Sequence, residues 1–176
     1  MSLTTSLVIA ATMILTTLLA DRGVRRVTWG RLLRPLLTGG PIALFFASHV
    51  VTRGVGLAVE VAGALAGLLL GLGAVALART GRDEATGEVV TRAGAGYLGF
   101  WIGACVLRFA VGYGAQHWFG QQWGTWLYLH GVAVGDIAAV IGNGIVFSVL
   151  GMLLARSAGI ALRARRVRTT GFALAR

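Results

Sequence analysis

Lysine is absent from this chain, acidic residues number only six, and there is one cysteine, Cys105. Each scarcity excludes something. With a single thiol, no internal disulfide and no CxxC redox pair can form, and Cys105 ranks as a small apolar residue. His49, His117 and His130 have no HxxxH or HExxH spacing, so neither a metal nor a cofactor is expected. No GxSxG, Walker A or related catalytic signature occurs. Charged residues make up 12% of the chain, against about 25% in an ordinary soluble domain.

What remains is apolar: 56% of the 176 residues are hydrophobic. Several stretches run about 18 to 22 residues with at most one charge, enough to cross a hydrocarbon core of about 30 Å at 1.5 Å per residue. They are apolar on all sides, whereas a soluble core helix shows one polar face. The expected fold class is all-α, a polytopic transmembrane helix bundle of about five spans. The spans are read at 3–20, 36–52, 57–78, 93–114 and 132–155, the last with an earlier start at Thr125 left open. The second is short and has Pro41 near its start, where proline is tolerated. A basic cytoplasmic tail, 156–176, follows, and neither a second domain nor a repeat is apparent.

The net charge of +10 does not point to nucleic acid. The arginines gather at the ends of the apolar spans, as topology signals and lipid-headgroup contacts do. Their use to the exclusion of lysine reads as codon bias in a GC-rich bacterial genome. Arg22, Arg25, Arg26, Arg31 and Arg34 fall in the first connection. Arg79, Arg82 and Arg92 fall between spans three and four, and Arg156, Arg163, Arg165, Arg166, Arg168 and Arg176 in the tail. The opposite side holds only Arg53, with Arg108 set aside. The positive-inside rule then gives N-out, C-in and an odd number of spans. The leading MSLTTS carries no basic residue, so span one is expected to be an uncleaved helix. The outer segment AQHWFGQQWG (115–124) reads as a Trp-rich loop and, with Tyr113, Trp126 and Tyr128, as an aromatic belt. The expected setting is the bacterial cytoplasmic membrane, multi-pass. The partners are the lipid bilayer, anionic headgroups at the basic inner face, and a second copy or another membrane protein.

Ionisable residues inside the spans are expensive and informative. Counting residues from the outer ends places His49, Glu60, Arg108 and Asp136 at a similar outer-leaflet depth, Arg108 roughly 9 Å below the surface. Asn143, seven residues past Asp136, shares its helical face. These five form the candidate polar cluster, with an expected ion pair from Arg108 to Glu60, to Asp136 or to both. Whether the cluster is a site or a structural network stays open. Gly63, Gly67 and Gly71 form GxxxGxxxG, and Gly99/Gly103 and Gly131/Gly135 form further GxxxG pairs that allow close helix approach.

The middle of the chain also resembles a known family. RRVTWGRLLRPLL leads into the glycine-rich GLAVEVAGALAGLLLGLGAVALARTGR, then the polar turn DEATGEVVTR, then GYLGFWIGACVLRFAVGYG with Arg108 late in it. Over roughly residues 22–120 this is similar to the CcdC-like family of small integral membrane proteins, common in actinobacteria. The resemblance implies a small bacterial membrane protein with an accessory role, beside a redox partner in the family's gene neighbourhood. Span five is additional to the four usual in that family. Two function classes follow. One is a non-enzymatic accessory or small transport-type bundle with an outward polar pocket around Glu60, Arg108 and Asp136. The other is a membrane-embedded enzyme acting on a lipid or isoprenoid through a buried carboxylic acid, with Asn143 orienting the substrate and Arg108 holding an anionic headgroup.

Overall fold

The computed structural model describes residues 23–28, 50–51, 54–83 and 86–170 continuously, and scattered helical positions between 5 and 45. Helices α1 (Gly54–Leu77), α2 (Ala95–His117), α3 (Gly120–Leu129) and α4 (Ile137–Thr170) carry the framework, with a short 3-10 turn, Val134–Asp136, before α4. α1, α2 and the stretch Val134–Thr169 are long and apolar enough to cross a membrane. They correspond to the expected spans 57–78, 93–114 and 132–155. The expected spans 3–20 and 36–52, and His49 with them, fall largely outside the described residues. The all-α class holds for the framework.

Helix is what these compositions favour. α1 is built from Leu, Ala, Val and Gly around one ionisable residue, Glu60. Leu and Ala are strong helix formers, and in hydrocarbon a helix satisfies every backbone group within its own segment. α1 and α4 run parallel and touch along their length. Gly56 meets Val140, Gly63 meets Gly144, Gly67 meets Ser148, Gly71 meets Met152 and Ala155, and Val75 meets Gly159. A Cβ on Gly63 or Gly67 would overlap the carbonyl oxygen of Gly144 or Ser148, and Gly151 returns the contact against the Ala64 carbonyl. The two backbones thus meet directly, close enough for Cα–H···O contacts. α2 packs antiparallel to α4, with Arg108 against Ser148 and Tyr97 against Arg156.

α4 is the enclosed helix, buried almost continuously from Val140 to Ser157. α1 and α2 turn Leu65, Leu69, Leu72, Ile102, Val106 and Leu107 outward while Glu60 and Arg108 face inward. That is the reverse of a water-soluble surface.

The remaining glycine pairs behave differently from GxxxGxxxG. Gly99 and Gly103 have open space where a Cβ would project, as do Gly131 and Gly135. Gly131 instead ends α3. At φ +87 it occupies the left-handed position of a Schellman motif. Val132 N–H reaches the Leu127 carbonyl at 3.0 Å and Gly131 N–H reaches Tyr128 at 3.0 Å. Val132 and Leu127 are both buried in the main core, the apolar contact that accompanies this cap. The segment expected as an outer loop, 115–124, is therefore corrected: α2 runs to His117, and α3 follows with Trp123, Trp126 and Tyr128 exposed.

A second addition is a small antiparallel sheet, β1 (Gly23–Arg26), β2 (Arg79–Arg82) and β3 (Val89–Ala93), in the order β1-β3-β2. It forms inside connectors expected to be loops. Val89, Val90 and Thr91 are β-branched, and Gly87 at φ +68 supplies the turn that returns its N–H to the Asp83 carbonyl at 2.7 Å. Val27 and Val89 then bury with Val75 of α1 and Ile160, Ala164 and Val167 of α4 in a second core. α4 runs unbroken through the tail boundary expected at 155/156, and its last turns cover the sheet.

Gly67→Ala is expected to weaken the fold by about 1–3 kcal/mol through overpacking, and Gly99→Ala to stay within about 0.5 kcal/mol. Unfolding of the two variants in mixed micelles checks this; equal losses would show that the glycine contact does not organise the bundle.

Candidate functional site

Glu60 lies in the second turn of α1, at the level where Gly56 meets Val140 and Gly63 meets Gly144. The close approach buries it to 1% exposure. Asn143, 3% exposed, reaches it from α4, and its Nδ2 donates to Glu60 Oε1 at 2.8 Å. The Val51 backbone amide lies beside the same carboxyl. Glu60 Oε2 is buried and accepts no well-formed hydrogen bond among the described residues. No cation lies within ion-pair distance of the carboxyl among them either, where the one ion pair is Arg26–Glu88.

Arg108 is held separately. It is 6% exposed, and each part of its guanidinium has an acceptor. Nε donates to Ser148 Oγ at 2.8 Å and Nη1 to the Ala104 carbonyl at 3.0 Å. Nη2 donates to the Ser148 carbonyl at 3.2 Å and approaches Met152 Sδ at 3.5 Å. Ser148 Oγ passes its own proton toward the Ile145 carbonyl at 2.9 Å. The expected ion pair of Arg108 with Glu60 or Asp136 is therefore replaced by hydrogen bonds to α4. The register is the reason. Glu60 stands at Asn143, while Arg108 stands at Ser148 and Met152, five to nine residues farther along α4. That is about 7–13 Å of helix rise. Asp136 sits in the exposed turn before α4, not in the core. Of the five expected residues, the structure joins Glu60 to Asn143, places Arg108 on another level, leaves Asp136 at the surface, and does not describe His49.

A third buried level was missed. Arg156, assigned by sequence to the basic tail, is buried and donates through Nε to Tyr97 Oη at 2.8 Å. Ser148, Met152 and Arg156 recur every four residues, and each meets α2. That spacing was the available signal, masked because Arg156 also fits a positive-inside arginine. Below it, Arg163 Nη1 donates to the Val75 and Ala78 carbonyls and so closes the C-terminal end of α1.

Chemically, Arg108 and Arg156 clamp α2 to α4. Glu60, by contrast, keeps a buried acceptor, Oε2, without a hydrogen bond among the described residues. Among the described residues no three His, Cys, Asp or Glu side chains gather. Comparison with protein-family models, with curated proteins and with solved structures finds no match for this chain.

A double-mutant cycle separates the two levels. Arg108→Ala and Ser148→Ala should couple by about 0.5–2 kcal/mol, and Arg108→Ala and Glu60→Ala should be additive within about 0.5 kcal/mol. Rescue of Arg108→Ala by Glu60→Ala would restore the ion pair and overturn this arrangement.

Proposed function

We propose that this chain is a multi-pass protein of the bacterial cytoplasmic membrane, N-out and C-in with about five spans. Its role is that of a non-enzymatic accessory or small transport-type bundle, and its polar site is Glu60 with Asn143. The CcdC-like resemblance belongs to the same reading. The observation that carries it is the Glu60 carboxyl: buried, held by a neutral amide, and open at Oε2 among the described residues. An intramembrane acid of this kind is costly to keep and marks a pathway or binding group more often than a packing residue. The open oxygen is an acceptor, so it suits a proton or a small cation.

Several features support the topology. Parallel α1 and α4 with antiparallel α2 match the alternation that three successive spans require. The first connection and the 79–92 connection pair in one sheet, against the end of α4 that carries the tail arginines. The charge-rich segments thus meet at one end. Thr28 lies at that end and Gly54 begins α1 at the other, about 36 Å away along 24 residues of helix. Exposed Trp118, Trp123, Trp126 and Tyr128 collect between α2 and α4, where interfacial aromatics belong.

Single cysteines at 60, 136 and 165 in a Cys105→Ala background, labelled on whole cells with a membrane-impermeant maleimide, test the proposal. Position 136 should label readily, position 60 more slowly, and position 165 only after permeabilisation. Labelling at 165 with silence at 136 would invert the orientation. Silence at 60 in folded protein would remove the transport-type reading.

A further inference from the structure

The register of the sheet places two arginines directly opposite one another. Arg79 on β2 is the direct cross-strand partner of Arg92 on β3. Directly opposed residues point to the same face with Cβ atoms about 4.5–5.5 Å apart, and like charges so placed weaken the pairing. Both side chains are exposed, and neither makes a hydrogen bond or an ion pair among the described residues. Their neighbours are committed elsewhere. Arg26 is paired with Glu88, Arg163 closes α1, and Arg156 holds Tyr97. Arg82 lies three residues from Arg79 along the strand and belongs to the opposite face.

The location gives the pair a partner. Arg79 comes two residues after the end of α1, and Arg92 three residues before the start of α2. Both therefore stand at the foot of two apolar helices, at headgroup level. Directly along α2 from that foot, Gly96, Gly99 and Gly103 are exposed and have nothing within 4 Å of where a Cβ would project. These positions share one exposed side of α2, free of side chains, near Phe100, which packs on Gly73 of α1. Two cations at the foot of the helices and a bare glycine face on α2 match a phosphodiester joined to an acyl chain.

We infer that Arg79 and Arg92 bind the phosphate of an anionic inner-leaflet phospholipid, with an acyl chain lying along Gly96, Gly99 and Gly103. The inference rests on the membrane reading above. The bound phosphate would remove the like-charge cost in the β2–β3 hairpin and so tie the inner end of the bundle to the leaflet.

The test is native mass spectrometry of the full chain in detergent, titrated with phosphatidylglycerol, with phosphatidylcholine and with inorganic phosphate. Wild type should retain phosphatidylglycerol in preference to phosphatidylcholine. The Arg79→Gln/Arg92→Gln double variant should lose on the order of tenfold or more in that preference, and Gly99→Leu should lose lipid retention as well. The Arg165→Gln/Arg166→Gln variant, which removes the same charge from the surface of α4, should stay within about twofold. Equal loss in both arginine doubles would reduce binding to diffuse charge and overturn the site. Displacement of the lipid by millimolar inorganic phosphate would make the ligand a free anion. Loss of a dimer in Gly99→Leu with lipid retention unchanged would assign the glycine face to a second copy. Both results contradict the inference. Lipid that co-purifies without headgroup preference sinks this site alone, whereas a chain that stays in solution without detergent sinks the membrane reading itself.

Discussion

The direct contact between the backbones of α1 and α4 sets the rest of this structure. Gly63, Gly67 and Gly71 remove the side chains that would hold the helices apart, and the carbonyls of Gly144, Ser148 and Met152 fill the space. Hydrocarbon offers little hydrophobic drive between helices, so association depends on such close packing. A contact this tight also has one register. It puts Glu60 opposite Asn143, encloses α4, and leaves the other face of α4 to receive α2. A sliding of one helical turn would bring Val59 or Val75 against an α4 carbonyl and part Glu60 from Asn143.

Given that register, the buried charges follow two different rules. Arg108 and Arg156 meet carbonyls, a hydroxyl, a thioether and a phenol, all on the facing helix except the Ala104 carbonyl one turn back along α2. Five donors in a planar fork can be satisfied by neutral acceptors without a carboxylate, and no second charge then has to be desolvated. Glu60 has no such abundance. A carboxylate only accepts, the backbone N–H groups of α1 and α4 around it are used within the helices, and the Asn143 amide and the nearby Val51 N–H leave Oε2 without a well-formed hydrogen bond among the described residues. The open Oε2 is therefore a consequence of where the glycines place the residue, and it is the feature that separates a site from a clamp.

Much of this was legible from residues. The three later spans were readable from their apolar length, and GxxxGxxxG on α1 pointed to its partner surface. Asn143 and Glu60 stood out as polar residues at depth. The Arg108 pairing was not legible, because depth counted from the ends of two helices carries no rotation or register, and the neutral acceptor Ser148 has no charge to advertise it. Arg156 was hidden by its resemblance to a topology signal. The sheet was missed since its strands are only four or five residues long and interrupted by arginines, and β1 precedes α1 in the chain while its partner β3 follows it. α3 was missed because its Trp- and Gln-rich sequence reads as an interfacial loop as readily as a short helix. Gly99 and Gly131 show the limit of a motif: the same spacing as Gly63/Gly67 leads to an open helix face in one case and a helix end in the other.

The picture that results is a bundle with clamps at two levels, an open acid at a third, and a basic sheet where its charged connections meet. All of it depends on α1 and α4 lying parallel in the register described. Oxidative cross-linking tests that most directly. In a Cys105→Ala background, Val59→Cys and Gly144→Cys should form a disulfide in membranes, because Gly144 has room for a side chain and Val59 is its neighbour at 3.9 Å. Cross-linking of Val59→Cys to Ala161→Cys instead, with none to position 144, would mean that the helices run in opposite directions and would contradict the account.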